Sequence, residues 1–246
     1  MSDTPRRPPV TGVAVVVPAH QEAELVEGCL RSLRSAARSS DVPVTVTVVA
    51  DACTDATARL ARRHASVVHV AARNVGVARG AGVREAVRRW SPHRRPGLWI
   101  ATTDADSTVP ADWITAQLDL ARRGSELVAG RIVVTDWDDR PAAVDAAHRA
   151  RYRDGPAHGH VHGANLGVAL RLYTALGGFA PRPTGEDVDL VERAEAAGAA
   201  VTWSTSSPVH TSARRDGRAP AGFSDHLDAL ERSTTCTERL TSPGIA

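Results

Sequence analysis

The apolar positions of the chain fall into two alternating patterns. Val13 to Val17 is an unbroken, β-branched apolar run, as expected of a strand buried on both faces. Leu25, Val26, Cys29, Leu30 and Leu33 follow at spacings of three and four, which predicts a helix with one apolar face. The rhythm repeats through a strand at Val44 to Val49, a helix at Asp55 to His64 and a short strand at Val67 to Val70. A helix over Val77 to Trp90, with Val83, Ala86, Val87 and Trp90 on one side, leads to a strand at Leu98 to Thr102. Pro110 stands where a helix would open, at its favoured first position, and that helix is expected to run to about Arg123. Alternating βα units of this kind predict an α/β fold with a mostly parallel central sheet flanked by helices.

Past Arg123 the pattern is less regular and predicts a smaller, mixed region. Glu126 to Thr135 reads as a strand, Ala142 to Arg151 as a helix, and Gly155 to Gly163 as a Gly/His-rich stretch. A strand at Leu166 to Leu170, a short helix and the turn Gly177-Gly178 precede a helix over Glu186 to Ala197 and a strand over Ala199 to Trp203. Ser204 to Pro220 reads as a long basic loop, followed by an amphipathic helix over about Gly222 to Arg232. The organisation expected is therefore a flexible N-terminus (1–11), a domain over 12–215 divided near 110, a C-terminal helix region (216–232) and a disordered tail (233–246).

With 246 residues the chain can bury a core without a disulfide or metal staple. Its basic side chains other than histidine are all Arg, interleaved with Asp and Glu to a formal net charge of +2. That lacks the uncompensated basic stripe of a nucleic-acid binder, so no nucleic-acid partner is expected. Cys29, Cys53 and Cys236 are odd in number and have neither disulfide nor metal-ligand spacing, which points to a reducing, cytoplasmic setting. Arg6 and Arg7 before Val10 to Val17 imitate a signal peptide, but the apolar run is short, ends at Pro18 and has no small-residue cleavage site. No stretch has the length of a membrane span, which leaves peripheral membrane association open.

Chemistry gathers just past the carboxyl ends of the early strands. Pro18-Ala19-His20-Gln21-Glu22 follows the first, Asp51-Ala52-Cys53-Thr54-Asp55 the second, and Asp104-Ala105-Asp106 the fourth. Open α/β sheets bind ligands at that edge. Converging acids there call for a cation or a hydrogen-bonding ligand. Two carboxylates one residue apart can hold a divalent metal whose remaining ligands are phosphate oxygens and water. Equally, Asp106 or Ser107 could cap the helix after Pro110.

Taken in order, these tips with Asn74-Val75-Gly76 and Arg79, Gly163-Ala164-Asn165, Gly177-Gly178-Phe179 and Gly185-Glu186-Asp187 resemble a family 2 glycosyltransferase of the GT-A fold. The resemblance covers roughly residues 12 to 215. It implies a nucleotide-binding half (12–110) and an acceptor-binding half (111–215). It also implies transfer of a sugar, with inversion, from a nucleotide-diphosphate donor, UDP-linked by default, to a hydroxyl on a lipid, metabolite or glycan. Pro18, Ala19 and Glu22 would meet the nucleoside, Asp51 the base and Arg79 the nucleotide. Asp104 and Ala105 would approach the donor, and Asp106 would carry a Mg²⁺ or Mn²⁺ ion. Asp187 corresponds to the catalytic base, while Asn165, Gly177, Gly178 and Glu186 lie on the acceptor side. His210 matches an additional metal ligand of many GT-A enzymes. The first acid of the family's second motif is replaced by Ala50, which leaves the base preference open. The Gln-x-x-Arg-Trp box of processive synthases is absent, so a non-processive enzyme of bacterial type is expected.

Other readings stand beside these. Thr184 and Asp187 could form a capping box. His158, His160 and His162 would face one way on an extended segment, as zinc ligands, an acceptor lining or plain loop polarity. Arg214, Arg215 and Arg218 could clamp a diphosphate or simply be solvated. Cys53 is expected to pack a loop. A catalytically silent relative that binds nucleotide sugar is one alternative function. A sugar nucleotidyltransferase is the other, although its Gly-x-Gly-Thr-Arg loop is missing.

Overall fold

A computed structural model of the chain describes residues 8–137, 140–151, 158–215, 217 and 223–241. Most of the expected flexible N-terminus, the start of the Gly/His-rich stretch, Arg218 and the end of the tail lie outside the described residues. The strands are β1 (Gly12–Ala19), β2 (Val44–Asp51), β3 (Ser66–Val70), β4 (Leu98–Thr102), β5 (Leu127–Asp136), β6 (Leu166–Ala169) and β7 (Val201–Ser212). The helices are α1 (Val26–Arg38), α2 (Thr57–Ala61), α3 (Val75–Arg89), α4 (Trp113–Arg122), α5 (Ala142–Arg151), α6 (Leu170–Ala175), α7 (Glu186–Ala196) and α8 (Phe223–Thr241).

The strands form a seven-stranded sheet in the order β3-β2-β1-β4-β6-β5-β7. β1 to β4 pair in parallel, β6 runs antiparallel to both neighbours, and β5 and β7 pair in parallel. Burial on both faces explains the unbroken apolar run of β1. Val13, Val15 and Val17 pack with α1 and α4 through Leu30, Leu33, Trp113 and Leu118. Ala14 and Val16 pack with α3 and α7 through Val83, Ala86, Leu190 and Val191. A smaller cluster joins Val134 to Val144 of α5 and to Leu227 and Leu230 of α8.

The structure corrects four boundaries. α4 begins at Trp113, not at Pro110, because Thr108 is still extended and pairs with His210, and the Pro110 carbonyl then accepts the Trp113 N–H in a turn. α2 is confined to Thr57–Ala61. The expected loop from Ser204 is largely strand, since β7 pairs with β5 as far as Ser212, through an irregularity between the Gly130 and Ile132 pairs. α8 continues to Thr241, well past Arg232, where disorder was expected.

Candidate active site

The tips of β1 and β2 are sewn together by their polar side chains. Gln21, in a left-handed conformation, accepts from the main-chain N–H of Thr54 at 2.8 Å and donates to the Thr54 hydroxyl. His20 Nδ1 donates to the Asp51 carbonyl at 2.6 Å, and Asp55 accepts from the N–H groups of Ala23 and Thr57. Asp51 itself is almost fully buried, and its carboxylate accepts from the N–H groups of Ala72, Arg73 and Asn74 at 2.7, 2.9 and 2.9 Å. Its first task is therefore to clasp the turn that leads into α3, whose N-terminus Asn74 caps through Val77. The Cys53 thiol donates to the Ala19 carbonyl and burial raises its pKa, consistent with a packing role.

Those loops wall a cavity of about 380 Å³ that opens along the carboxyl ends of β1, β2 and β4. Pro18, Ala19, Glu22, Asp51, Arg79, Asp104, Ala105, Asp106, Glu186 and Asp187, drawn from both halves of the chain, all line it. Asp104 and Asp106 sit on the turn after β4, with the intervening Ala105 buried beneath. Burial, and next the Asp104 carboxylate, push the Asp106 pKa up to about 6, while Arg214 opposes the shift. Arg214 forks onto both oxygens of Glu22 and lies 3.2 Å from Asp106.

Arg79 is 3% exposed and donates in three directions: to Glu186 at 2.8 Å, to the Gly163 carbonyl at 2.9 Å and to Asp104 at 2.7 Å. Burial of its positive charge is offset by those acids, so Arg79 fastens the β4 tip to the start of α7. Gly163 also donates its N–H to Asp187 Oδ2 at 2.6 Å, and Asp187 Oδ1 accepts from the Val188 N–H. α7 is entered through Gly185, which is left-handed at φ 72°.

Asp106 is the group that fits a cation: a carboxylate inside the cavity beside two further acids, with a guanidinium already against it. Among the described residues no three His, Cys, Asp or Glu side chains are grouped to hold a metal. A cation at Asp106 would accordingly complete its shell with phosphate and water oxygens.

Other expected site residues are not brought into the cavity. His210 is absent from the lining, and its main chain is spent on Thr108. Asn165 is 2% exposed. It accepts from Trp113 Nε1 at 2.8 Å and donates to the carbonyls of Arg131 and Ser207. It therefore ties α4, β5 and β7 together and does not line the cavity. Gly177 and Gly178, at φ 81° and 80°, close α6 away from the cavity, where Arg193 holds the Leu176 and Gly178 carbonyls. His158, His160 and His162 do share one face, stacked at 5.9 and 6.3 Å between ring centres. Of the three only His162 reaches the lining, edge-on to Phe223 of α8. Phe223 and Ser224 complete that wall, and the sequence marked them only as part of an amphipathic helix.

Known proteins match this arrangement at the level of family and fold. The family model described as glycosyl transferase family 2 matches residues 14–167. A search of curated proteins gives no significant match. S. aureus TarS 1-349, solved in complex with UDP-GlcNAc, superposes with a TM-score of 0.62 at 12% identity, covering 90% of this chain and 66% of that one. Mannosyltransferase PcManGT from Pyrobaculum calidifontis, solved with GDP-Man and Mn²⁺, superposes with a TM-score of 0.59 at 20% identity, covering 94% and 76%. Against S. aureus TarS itself the chain covers 44% of the length, at 13% identity and a TM-score of 0.59.

Proposed function

Because the chain belongs to glycosyl transferase family 2 and has its GT-A fold, we propose that it is an inverting enzyme that moves a sugar from a UDP-linked donor to a hydroxyl acceptor. The observation that carries the reading is the placement of Asp106 and Asp187 on one cavity, with Arg79 and the Gly163 peptide spanning the interval between their loops. Departure of a nucleoside diphosphate concentrates negative charge on its phosphates. A divalent cation, Mg²⁺ or Mn²⁺, held by Asp106 would neutralise that charge when bound.

The chain's own groups account for the rest. Asp187, oriented by the N–H groups of Gly163 and Val188, is the base that takes the proton of the attacking hydroxyl. Glu186 stays paired with Arg79 and holds the start of α7 in place. His162, Phe223 and Ser224 form the wall against which the acceptor lies. One attack and one departure invert the anomeric centre. A product whose anomeric configuration by proton NMR equals that of the donor would contradict this.

TarS has been solved with UDP-GlcNAc and PcManGT with GDP-Man and Mn²⁺, so these two donors are the first to try. The test is thermal shift against UDP-, GDP- and dTDP-sugars with Mn²⁺, Mg²⁺ or EDTA. A ligand that binds only the folded chain raises its melting point by mass action. A metal-dependent shift with UDP-sugars supports the proposal. Shift with GDP- or dTDP-sugars alone overturns the uridine preference, and no shift with any donor overturns the donor site. Among the described residues no helix is long and apolar enough to cross a membrane.

A further inference from the structure

Arg214 places its guanidinium where the donor reading calls for a cation. Its Nη1 and Nη2 donate to the two oxygens of Glu22, Nη1 at 2.7 Å, and Nη2 lies 3.2 Å from Asp106. All three side chains line the cavity, and those of Arg214 and Asp106 are each 19% exposed. The backbone of Arg214 is fixed from the opposite side. Its carbonyl accepts from Ser224 Oγ at 2.9 Å and from Arg140 at 3.3 Å, and Arg140 is in turn paired with Asp228 and Glu231 of α8. The side chain is thus the part of Arg214 that can move while the chain trace stays put.

A guanidinium and a divalent ion compete for Asp106, because their positive charges repel in a partly buried site. In the geometry seen here, metal entering alone would have to expel Arg214 and separate it from Glu22 as well. A nucleoside diphosphate changes the balance, since its phosphate oxygens offer the planar fork of Arg214 a replacement partner. Resting on the donor reading above, we propose that Arg214 is a resident counter-ion of Asp106. It keeps divalent metal out of the donor-free site and passes to the diphosphate when donor and metal enter together. The loading order is then a property of one side chain, and metal and nucleotide bind with positive coupling that Arg214 supplies.

The test is titration of free Mn²⁺ by electron paramagnetic resonance against the full chain and its Arg214→Met variant, first without nucleotide and then with UDP or GDP. The expected result is that Arg214→Met binds Mn²⁺ alone at least fivefold more tightly than wild type, and that adding Asp106→Asn abolishes the gain. The factor by which nucleotide tightens Mn²⁺ binding is expected to be larger in wild type than in Arg214→Met. If circular dichroism shows that the methionine variant does not fold, Arg214→Gln must give the same two results. A wild type that binds nucleotide, with a variant whose affinity for Mn²⁺ alone is unchanged or weaker, overturns this proposal and leaves the donor reading standing. A wild type that binds neither UDP nor GDP in the presence of Mn²⁺ overturns both.

Discussion

The main-chain N–H of Gly163 donates to the Asp187 carboxylate across 2.6 Å, while the carbonyl of the same residue accepts from Arg79 at 2.9 Å and from Thr102 at 2.7 Å. The two peptide groups that flank the Gly163 Cα thus link a buried guanidinium to the Asp187 carboxylate. A side chain at residue 163 would collide with that guanidinium. Gly163→Ala is therefore expected to cost about 1–3 kcal/mol of stability through overpacking. It should also lower turnover at least tenfold while changing donor affinity much less. Urea denaturation beside a split of kcat against KM checks this, and an equal loss in donor affinity would count against the positioning role.

Asn165 gives a contrasting expectation. Its amide satisfies the indole N–H of Trp113 and two main-chain carbonyls inside the core. Asn165→Ala removes one partner from each of those groups, at a cost of about 1–3 kcal/mol for each buried group left without another. The melting temperature should fall by several degrees, yet donor affinity measured well below it should hold. A variant of wild-type stability with weakened acceptor binding would instead restore the acceptor-side role read from its position in the motif.

The contrast between these residues shows what a sequence carries. Acids at strand ends are legible because the sheet's carboxyl edge is where such groups converge, and the apolar rhythm of β1 to β4 locates that edge. A buried amide and an exposed one look alike in sequence, so Asn165 reads as a ligand contact although it lies outside the cavity lining with its amide bonded to Trp113, Arg131 and Ser207. β7 reads as loop because its alternation is built from Ser and Thr, of which Ser204, Ser207 and Thr211 are buried. The extension of α8 hides in the same way. Ser233 and Thr234 suggest disorder, but their hydroxyls bond back to the carbonyls of Leu230 and Glu231 and remain within the helix. Arg214 is recognisable as a loop cation, whereas its partner Glu22 lies 192 residues away.

The histidine cluster predicts loss of stability in acid. Burial, and then His160, His158, His148 and His226, hold His162 down to about pKa 3, and burial also lowers His148 and His158. Unfolded histidines bind their protons near pH 6.5, so between that value and about 3 the unfolded chain holds more protons than the folded one. Stability is therefore fully present above pH 6.5 and falls as pH drops, by about 1.4 kcal/mol per unit for His162, with His148 and His158 contributing in the same direction. Asp106, raised to about 6, and Glu186, which burial also raises, act in the opposite sense, two groups against three. Urea midpoints measured from pH 7.5 to 5 should decline, and His162→Gln should flatten the slope. A midpoint independent of pH over that range would contradict the cluster's burial.

If Asp106 holds the donor and Asp187 serves a later step on the same cavity, calorimetric titration of an intact nucleotide sugar with Mn²⁺ separates the two roles. Wild type and Asp187→Asn are expected to bind the donor with affinities within about threefold of each other, under 1 kcal/mol apart. Asp106→Asn is expected to weaken binding at least tenfold, or about 1.4 kcal/mol. Undiminished binding by Asp106→Asn, or loss of binding by Asp187→Asn to the same degree, would contradict the division of labour drawn from the structure.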